Sequence, residues 1–481
     1  MKALFPFISI NIIKTGKKSL VMIFLLLTWC TINVVAQTSY NANSIPITGS
    51  GNTAFGYQSL LYNTTGDGNT ATGTHSLYLN TTGGQNTATG LQTLYSNTTG
   101  YFNTANGYQS LGSNTTGYEN TATGTYSLLY STTGILNTAN GYNSLYLNST
   151  GNYNTATGAQ SLYSNTNGYD NTATGVQALY YNTTGIQNTA NGNYALVYNT
   201  TGNQNTANGY GSLDHNTTGY YNTANGYTSL YSNITGFNNT ANSAYSLYFN
   251  TTGNNNTANG YASLDNNTTG GYNTASGSYS LFSNIAGKNN TALGDSAGYL
   301  STGSKNVYIG NFAGYKETTG SNKLYIGNDS NKTIMYGDFS TGQVLLGNGN
   351  PAGYTFKGTR TLNVMGGIIA DSMRVALVSG WADYVFADDY KLKPLEEVGT
   401  YIKANKHLPN IPSSEEVARN GIELGSMNAK LLEKIEELYL YILQQQKQIE
   451  QQQKQIDEQN NFNQLLLQQM KEVKQQSKNY K

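Results

Sequence analysis

Charge is what this 481-residue chain has least of: only 10% of its residues are charged, and the 25 basic and 25 acidic ones cancel. Between residues 52 and 289 the charged side chains are Asp67, Glu119, Asp170, Asp214, Asp265 and Lys288 alone. So neutral a surface cannot neutralise a phosphate backbone, which argues against nucleic acid as a partner. The shortage of carboxylates also excludes paired-acid glycoside hydrolysis and aspartate-rich calcium repeats from that stretch. Histidine is equally scarce. His75, His215 and His407 lie far apart, so no metal-binding spacing exists. A phosphate loop is missing too, the glycines falling at turn spacing instead. No catalytic residue, cofactor or metal is therefore expected, and the chain reads as non-enzymatic.

The single cysteine, Cys30, sits near the N-terminus, just after the apolar run Leu20-Val-Met-Ile-Phe-Leu-Leu-Leu27. Lys14, Lys17 and Lys18 precede that run and Val34-Val35-Ala36 follow it, which reads as an export signal over residues 1–36 with cleavage before Gln37. The run falls short of the roughly 20 apolar residues a membrane span needs, so none is expected in the mature chain. Trp29 is too bulky to precede a lipidated cysteine. Removal of the signal would leave an exported, cell-surface or extracellular chain with no disulfide. Its stability would come from stacking and association.

What the chain has in abundance is repetition. The seventeen-residue unit N-T-A-x-G-x-x-S-L-Y-x-N-T-T-G-x-x recurs fourteen times over residues 52–289 without insertion or deletion, after a linker at 37–51. A fixed period gives every copy the same local geometry, and the expected fold is mainly β, a parallel solenoid with coils stacked on one axis. Two extended segments are expected per unit, T-A-x and S-L-Y-x-N-T. Alternation turns Ala54 and Leu60 inward and Thr53 and Ser59 outward. Gly66 and Gly83 are expected at a turn with positive φ, and Asn63 and Asn80 in an amide ladder along the rod. One leucine and one alanine per coil make a thin core, so several rods are expected to pack side by side.

The N-T-A-x-G units resemble the head repeats of trimeric autotransporter adhesins over roughly residues 52–330. The resemblance implies a left-handed parallel β-roll in each of three chains and a homotrimer; the unit here is longer than that family's common one. The motifs Asn290-Thr-Ala-Leu-Gly294, Asn306-Val-Tyr-Ile-Gly310 and Asn322-Lys-Leu-Tyr-Ile-Gly327 read as more apolar capping coils at sixteen-residue spacing, over 290–330. A β neck follows over 331–378, with turns at Gly337, Gly342, Gly347 and Gly349. Within a small α/β module at 379–426, the stretches Trp381–Phe386, Tyr390–Leu395 and His407–Pro412 resemble the tail-fibre-like C-terminal module of many exported Bacteroidetes proteins. That module is loosely similar to phage tail-spike chaperones that cut themselves off. Asp388-Asp389-Tyr390-Lys391 contains no serine, so self-cleavage is not carried over.

A coiled coil is expected over 427–481, with Ile435, Ile442, Ile449 and Ile456 at heptad position a and Leu438, Gln445, Gln452 and Gln459 at d. Its partly polar seam favours a trimer over a dimer. Tyr78, Tyr95, Tyr146, Tyr163, Tyr180 and Tyr231 share the position beside the inward leucine. They either form an outward stripe able to contact a glycan or protein receptor, or pack between coils and chains. The chain thus reads as a trimeric fibre or adhesin. Two alternatives stay open: an ice-binding solenoid using ranks such as Thr64-Thr65, and a phage-derived tail fibre, which would normally lack an export signal.

Overall fold

The computed structural model describes residues 49–349, 356, 359–375 and 381–479. The expected signal and most of the expected linker lie outside these residues. The chain divides into two compact units, Met1–Gly367 and Ile368–Lys481.

The first unit is a parallel β-solenoid. Its strands β1 (Thr53–Phe55) to β14 (Thr274–Ser276) are three residues long and recur with the seventeen-residue period. Each pairs in register with the next, Thr53 with Thr70 and Ala54 with Ala71. Alternation holds within each strand: the central alanine is buried and its two neighbours are exposed or half-exposed.

The second expected strand does not form. S-L-Y-x-N-T is a run of turns in which the leucine has positive φ in all fourteen coils, 49° at Leu60 and 48° at Leu77. Each left-handed leucine costs on the order of 1 kcal/mol, and hydrogen bonding along the axis offsets it. The N–H groups of Leu77 and Leu79 reach the next coil at Thr93 O and Tyr95 O, both 3.0 Å, while His75 N–H reaches back to Tyr57 O at 2.9 Å. The run is thus held to both neighbours without being extended. Its leucines are fully buried. Ser76, expected to point outward like Ser59, is buried as well and donates its hydroxyl to Gly73 O at 2.9 Å.

Two asparagine ladders complete the interior. In the expected one, Asn80 Nδ2 donates to Asn63 Oδ1 at 2.6 Å. A second, not anticipated, uses the first residue of the unit: Asn86 N and Nδ2 both donate to Asn69 Oδ1, at 3.0 and 3.1 Å. Gly83 O accepts from both ladders, from Asn69 Nδ2 and from Asn80 Nδ2, each at 2.9 Å. Gly83 is therefore not a positive-φ turn residue. It is glycine because a Cβ there would stand 2.3 Å from Gly100 O and 2.5 Å from Asn80 Oδ1.

The last coils change core. In β15 (Thr291–Leu293), β16 (Val307–Ile309) and β17 (Lys323–Ile326) the inward residues become Ala292, Tyr308 and Tyr325. Where earlier coils have leucine there is now Gly298 and then Gly314. A Cβ at these would fall 2.6 and 2.2 Å from the Tyr308 ring, so one large side chain has moved across the coil. The final step is seventeen residues, not the expected sixteen: Lys323, rather than Asn322, takes the ladder position and donates its N–H to Asn306 Oδ1 at 2.8 Å. The antiparallel strands β18 (Thr333–Asp338) and β19 (Gln343–Gly349) then extend the sheet, with β20 (Leu362–Val364) parallel to β19. Gly342 lies in the β18–β19 connection, whereas Gly337, Gly347 and Gly349 lie within strands.

The second unit contains a short 3-10 helix (Ala382–Phe386), α1 (Leu395–Asn405), α2 (Ser414–Asn420) and a 55-residue α3 (Leu424–Lys478). The serine-glutamate start signal is realised as a capping box, with Glu416 N–H donating to Ser413 Oγ at 3.2 Å and Ser413 N–H to Glu416 Oε2 at 3.0 Å. Ala382 and Val385 are buried against the start of α3. Tyr384 donates to Glu433 at 2.6 Å and Tyr390 to Glu437 at 2.5 Å, and Lys434 bridges both carboxylates at 2.7 and 2.9 Å. From Gln445 onward α3 is exposed on every side.

Candidate interaction surface

The tyrosine column lies beside the buried leucines because it is next in sequence to them, and all six expected members are half-buried. Their rings stack along the rod: Tyr78 on Tyr95 at 5.0 Å, Tyr146 on Tyr163 and Tyr163 on Tyr180 at 4.9 Å, and Tyr231 on Tyr248 at 5.2 Å, with interplanar angles of 10°, 7°, 2° and 5°. A ring inside such a stack has both faces covered by its neighbours. It offers a partner only an edge and a hydroxyl, which suits hydrogen bonding rather than face-on stacking with a sugar. Burial, helped by hydrogen bonding to Tyr130, pushes the Tyr146 hydroxyl up to about 12. Tyr146 is therefore a neutral hydroxyl at any ordinary pH.

The column is broken where the unit varies, at Gly112 and Leu129, at Val197 and Asp214, and at Asp265. Burial raises the carboxyl of Asp214 to about 6 although His215 opposes the shift; the His215 ring, 2.9 Å from that carboxylate, sits between Tyr198 and Tyr231 at 5.1 and 4.7 Å. Burial also raises Asp265 to about 6.

Sequence reading missed the aromatics around this column. Tyr57, Tyr142, Tyr210, Tyr227 and Tyr261 share one position and are exposed, and Tyr130, Tyr181 and Tyr198 share another. Tyr210 stacks on Tyr227 at 5.5 Å, and Tyr130 meets Tyr146 edge-on at 5.1 Å. On another side, Tyr101 stacks on Tyr118 at 4.8 Å and Tyr220 on Phe237 at 4.9 Å. Counting aromatics at every unit position, not only beside leucine, would have found them.

The threonines after the inner asparagine are partly committed. Thr81 Oγ1 donates to Thr98 O at 3.0 Å, and its equivalents do the same along the rod. The strand threonines are different: Thr53, Thr87 and Thr104 are exposed, and on the same face Asn208 donates to Asn225 at 2.7 Å in a surface amide row.

Among the described residues no group of three or more His, Cys, Asp or Glu side chains is placed to hold a metal ion. No helix among them is long and apolar enough to cross a membrane. Compared with family models, with curated proteins and with solved structures, the chain matches none.

Proposed function

We propose that this chain is an exported, non-enzymatic homotrimeric fibre that acts as an adhesin, presenting the periodic side chains of its solenoid to a glycan or protein surface. One observation carries the self-association. On α3, Ala429, Glu433 and Glu436 are buried on one side, while Ile435, Leu438, Ile442, Ile449 and Ile456 are each about half exposed. At 100° per residue the isoleucines fall on the opposite face of the helix. The module that packs on α3 therefore leaves its heptad seam free for other copies. A neutral surface of repeated hydroxyls, amides and ring edges suits many weak contacts to a repetitive partner rather than one tight pocket.

Mass in solution of the full chain, compared with Ile442→Glu/Ile449→Glu, tests the assembly. Three copies falling to one is expected, and a single copy in both forms would overturn it. Replacing Tyr130, Tyr181 and Tyr198 with serine is expected to abolish most of the adhesion while the lost ring contacts lower the melting temperature by only a few degrees. Equal adhesion would remove these rings from the contact.

A second reading, an ice-binding face, is favoured by the in-register exposed threonines of the strands rather than by the Thr64-Thr65 turn. Shaping of ice crystals by the purified chain supports it, and crystals of ordinary habit would end it.

A further inference from the structure

At Asp265 the tyrosine column loses a ring that nothing else in the chain replaces. The rings on either side belong to separate stacks, Tyr248 on Tyr231 at 5.2 Å and Phe282 on Tyr299 at 5.0 Å. Their remaining ring contacts are tilted or edge-on: Tyr245 and Phe249 to Tyr248 at 5.8 and 4.7 Å, and Tyr279 to Phe282 at 5.7 Å. Among the described residues no ring stacks between Tyr248 and Phe282. These two are two coils apart, about 9.6 Å at one strand spacing per coil. A flat group placed midway would therefore keep about the 4.9 Å spacing that Tyr146, Tyr163 and Tyr180 keep in the intact column.

The side chain in the missing ring's place is a carboxylate. Asp67, Glu119 and Asp170 are exposed, whereas Asp265 is half-buried. It receives no hydrogen bond and no ion pair from any described residue, and burial alone raises its carboxyl to about 6. Asp214, at the same position of the unit, is the internal comparison. There the chain fills the gap itself: His215 Nδ1 lies 2.9 Å from the carboxylate, and the His215 ring sits between Tyr198 and Tyr231. A planar nitrogen-bearing group between two rings and against a carboxylate is thus an arrangement this solenoid already builds. At Asp265 the next residue is Asn266, which gives the carboxylate no hydrogen bond. The walls and the charge are present, and the flat nitrogen group is missing.

We propose that the gap at Asp265 binds a guanidinium group, the arginine side chain of a protein partner, lying between Tyr248 and Phe282 with its N–H groups on the Asp265 carboxylate. Guanidinium is flat, stacks on aromatic faces and bonds a carboxylate through two parallel N–H groups. An ammonium is compact and strongly hydrated and stacks on neither ring, and a neutral sugar leaves the carboxylate without a counter-charge. The site narrows the adhesin reading at one point of the rod, from a glycan or protein surface to a protein. It rests on that reading only for the partner being another molecule, and neither the trimer nor the seam of α3 enters.

Ligand-observed NMR titration of the full chain at pH 7 with three capped tripeptides tests it, the central residue being arginine, lysine or citrulline, which has arginine's shape without its charge. Saturable binding of the arginine peptide is expected, with the other two at least about tenfold weaker. Asp265→Asn is expected to weaken the arginine peptide by a similar factor without lowering the melting temperature, and Phe282→Leu to weaken it as well. Asp214→Asn, whose carboxylate is already answered by His215, is expected to leave binding unchanged. Equal binding of the three peptides, arginine binding indifferent to Asp265→Asn, or an equal loss in Asp214→Asn would overturn the site. So would the absence of saturation at on the order of 10 mM peptide. Each of these leaves adhesion by the periodic surface standing, whereas a chain that binds the arginine peptide but adheres to nothing would remove the adhesin reading and keep the site.

Discussion

Ser131 stands where the other thirteen repeats have the inner-ladder asparagine, and its consequences are local. Asn114 Oδ1 and Ser131 Oγ are buried without a hydrogen-bond partner, and Asn148 loses the acceptor its equivalents have. A buried polar atom left unpaired costs about 1–3 kcal/mol, so Ser131→Asn is expected to stabilise the rod by that order in a denaturant melt. An unchanged midpoint would mean that water already fills the gap. Ser243 is the companion case. It occupies the glycine position before the turn run with φ of 122°, a conformation that only glycine adopts freely. Ser243→Gly is expected to gain about 1 kcal/mol without altering the neighbouring coils, measured in the same melt. At Gly314 the glycine is required rather than missing. Gly314→Ala is expected to destabilise the end of the solenoid because its Cβ meets the Tyr308 ring, and Tyr308→Ala in the same chain is expected to relieve the clash, giving a positive coupling in a double-mutant cycle.

The elements differ in how far the sequence reveals them. The strand T-A-x is legible because alternation and the following glycine both mark it. The turn run is not, because leucine with positive φ contradicts every local preference and persists only through hydrogen bonds to the coils on either side. Burial of the serine was equally hidden: its hydroxyl is satisfied three residues back, which alternation cannot foresee. The heptads of α3 were visible from spacing alone, but which face the small module covers depends on Glu433 and Glu436, charged residues that sequence reading places in solvent.

Acid should act in opposite directions on the later repeats, which hold Asp214 and Asp265, and on β18 beyond them, which holds Asp338. Asp214 and Asp265 have folded pKa values raised to about 6 by burial, so their contribution is fully present below the unfolded value near 3.9 and is lost as pH rises through about 6. Asp338, despite opposing burial, is held down to about 2 by hydrogen bonds from Lys323 and Ser340. Its contribution is present above the unfolded value and is lost as pH falls through about 2. Melting followed from pH 3 to 8 should show the repeats losing stability between about 4 and 6. Asp214→Asn/Asp265→Asn should abolish that loss and raise stability at pH 7 by on the order of 1 kcal/mol per site. A wild-type profile flat over that window would contradict it.

For the molecule as a whole, the thin core led to an expectation of rods packed side by side, and to the one expected amide ladder the interior adds a second and the bonds of the turn run. Two amide ladders and the bonds of the turn run satisfy each coil through its neighbours, so a rod gains stability by adding coils. The aromatic positions were partly readable, since one column stood out beside leucine, yet ring stacking could not be seen without knowing that equivalent residues lie one strand spacing apart. Export is testable at this scale: secreted material is expected to begin at Gln37, and an N-terminus at Met1 by intact mass would remove the signal reading and revive the tail-fibre alternative.

The shared acceptor at Gly83 has a consequence for inheritance. Because its partners are Asn69 and Asn80 within the unit, and the ladder beyond them joins each residue to the one seventeen places on, removing or duplicating one whole unit leaves every remaining contact with a matching neighbour. A change of sixteen or eighteen residues would instead leave one coil of odd length at the join, which the solenoid accommodates at its end, where Asn306 N–H reaches Asn290 Oδ1 at 2.9 Å across a sixteen-residue step, only with a changed core. The rod is therefore a ruler that recombination between near-identical copies can lengthen or shorten in steps of about 4.8 Å, changing reach while conserving the surface it presents.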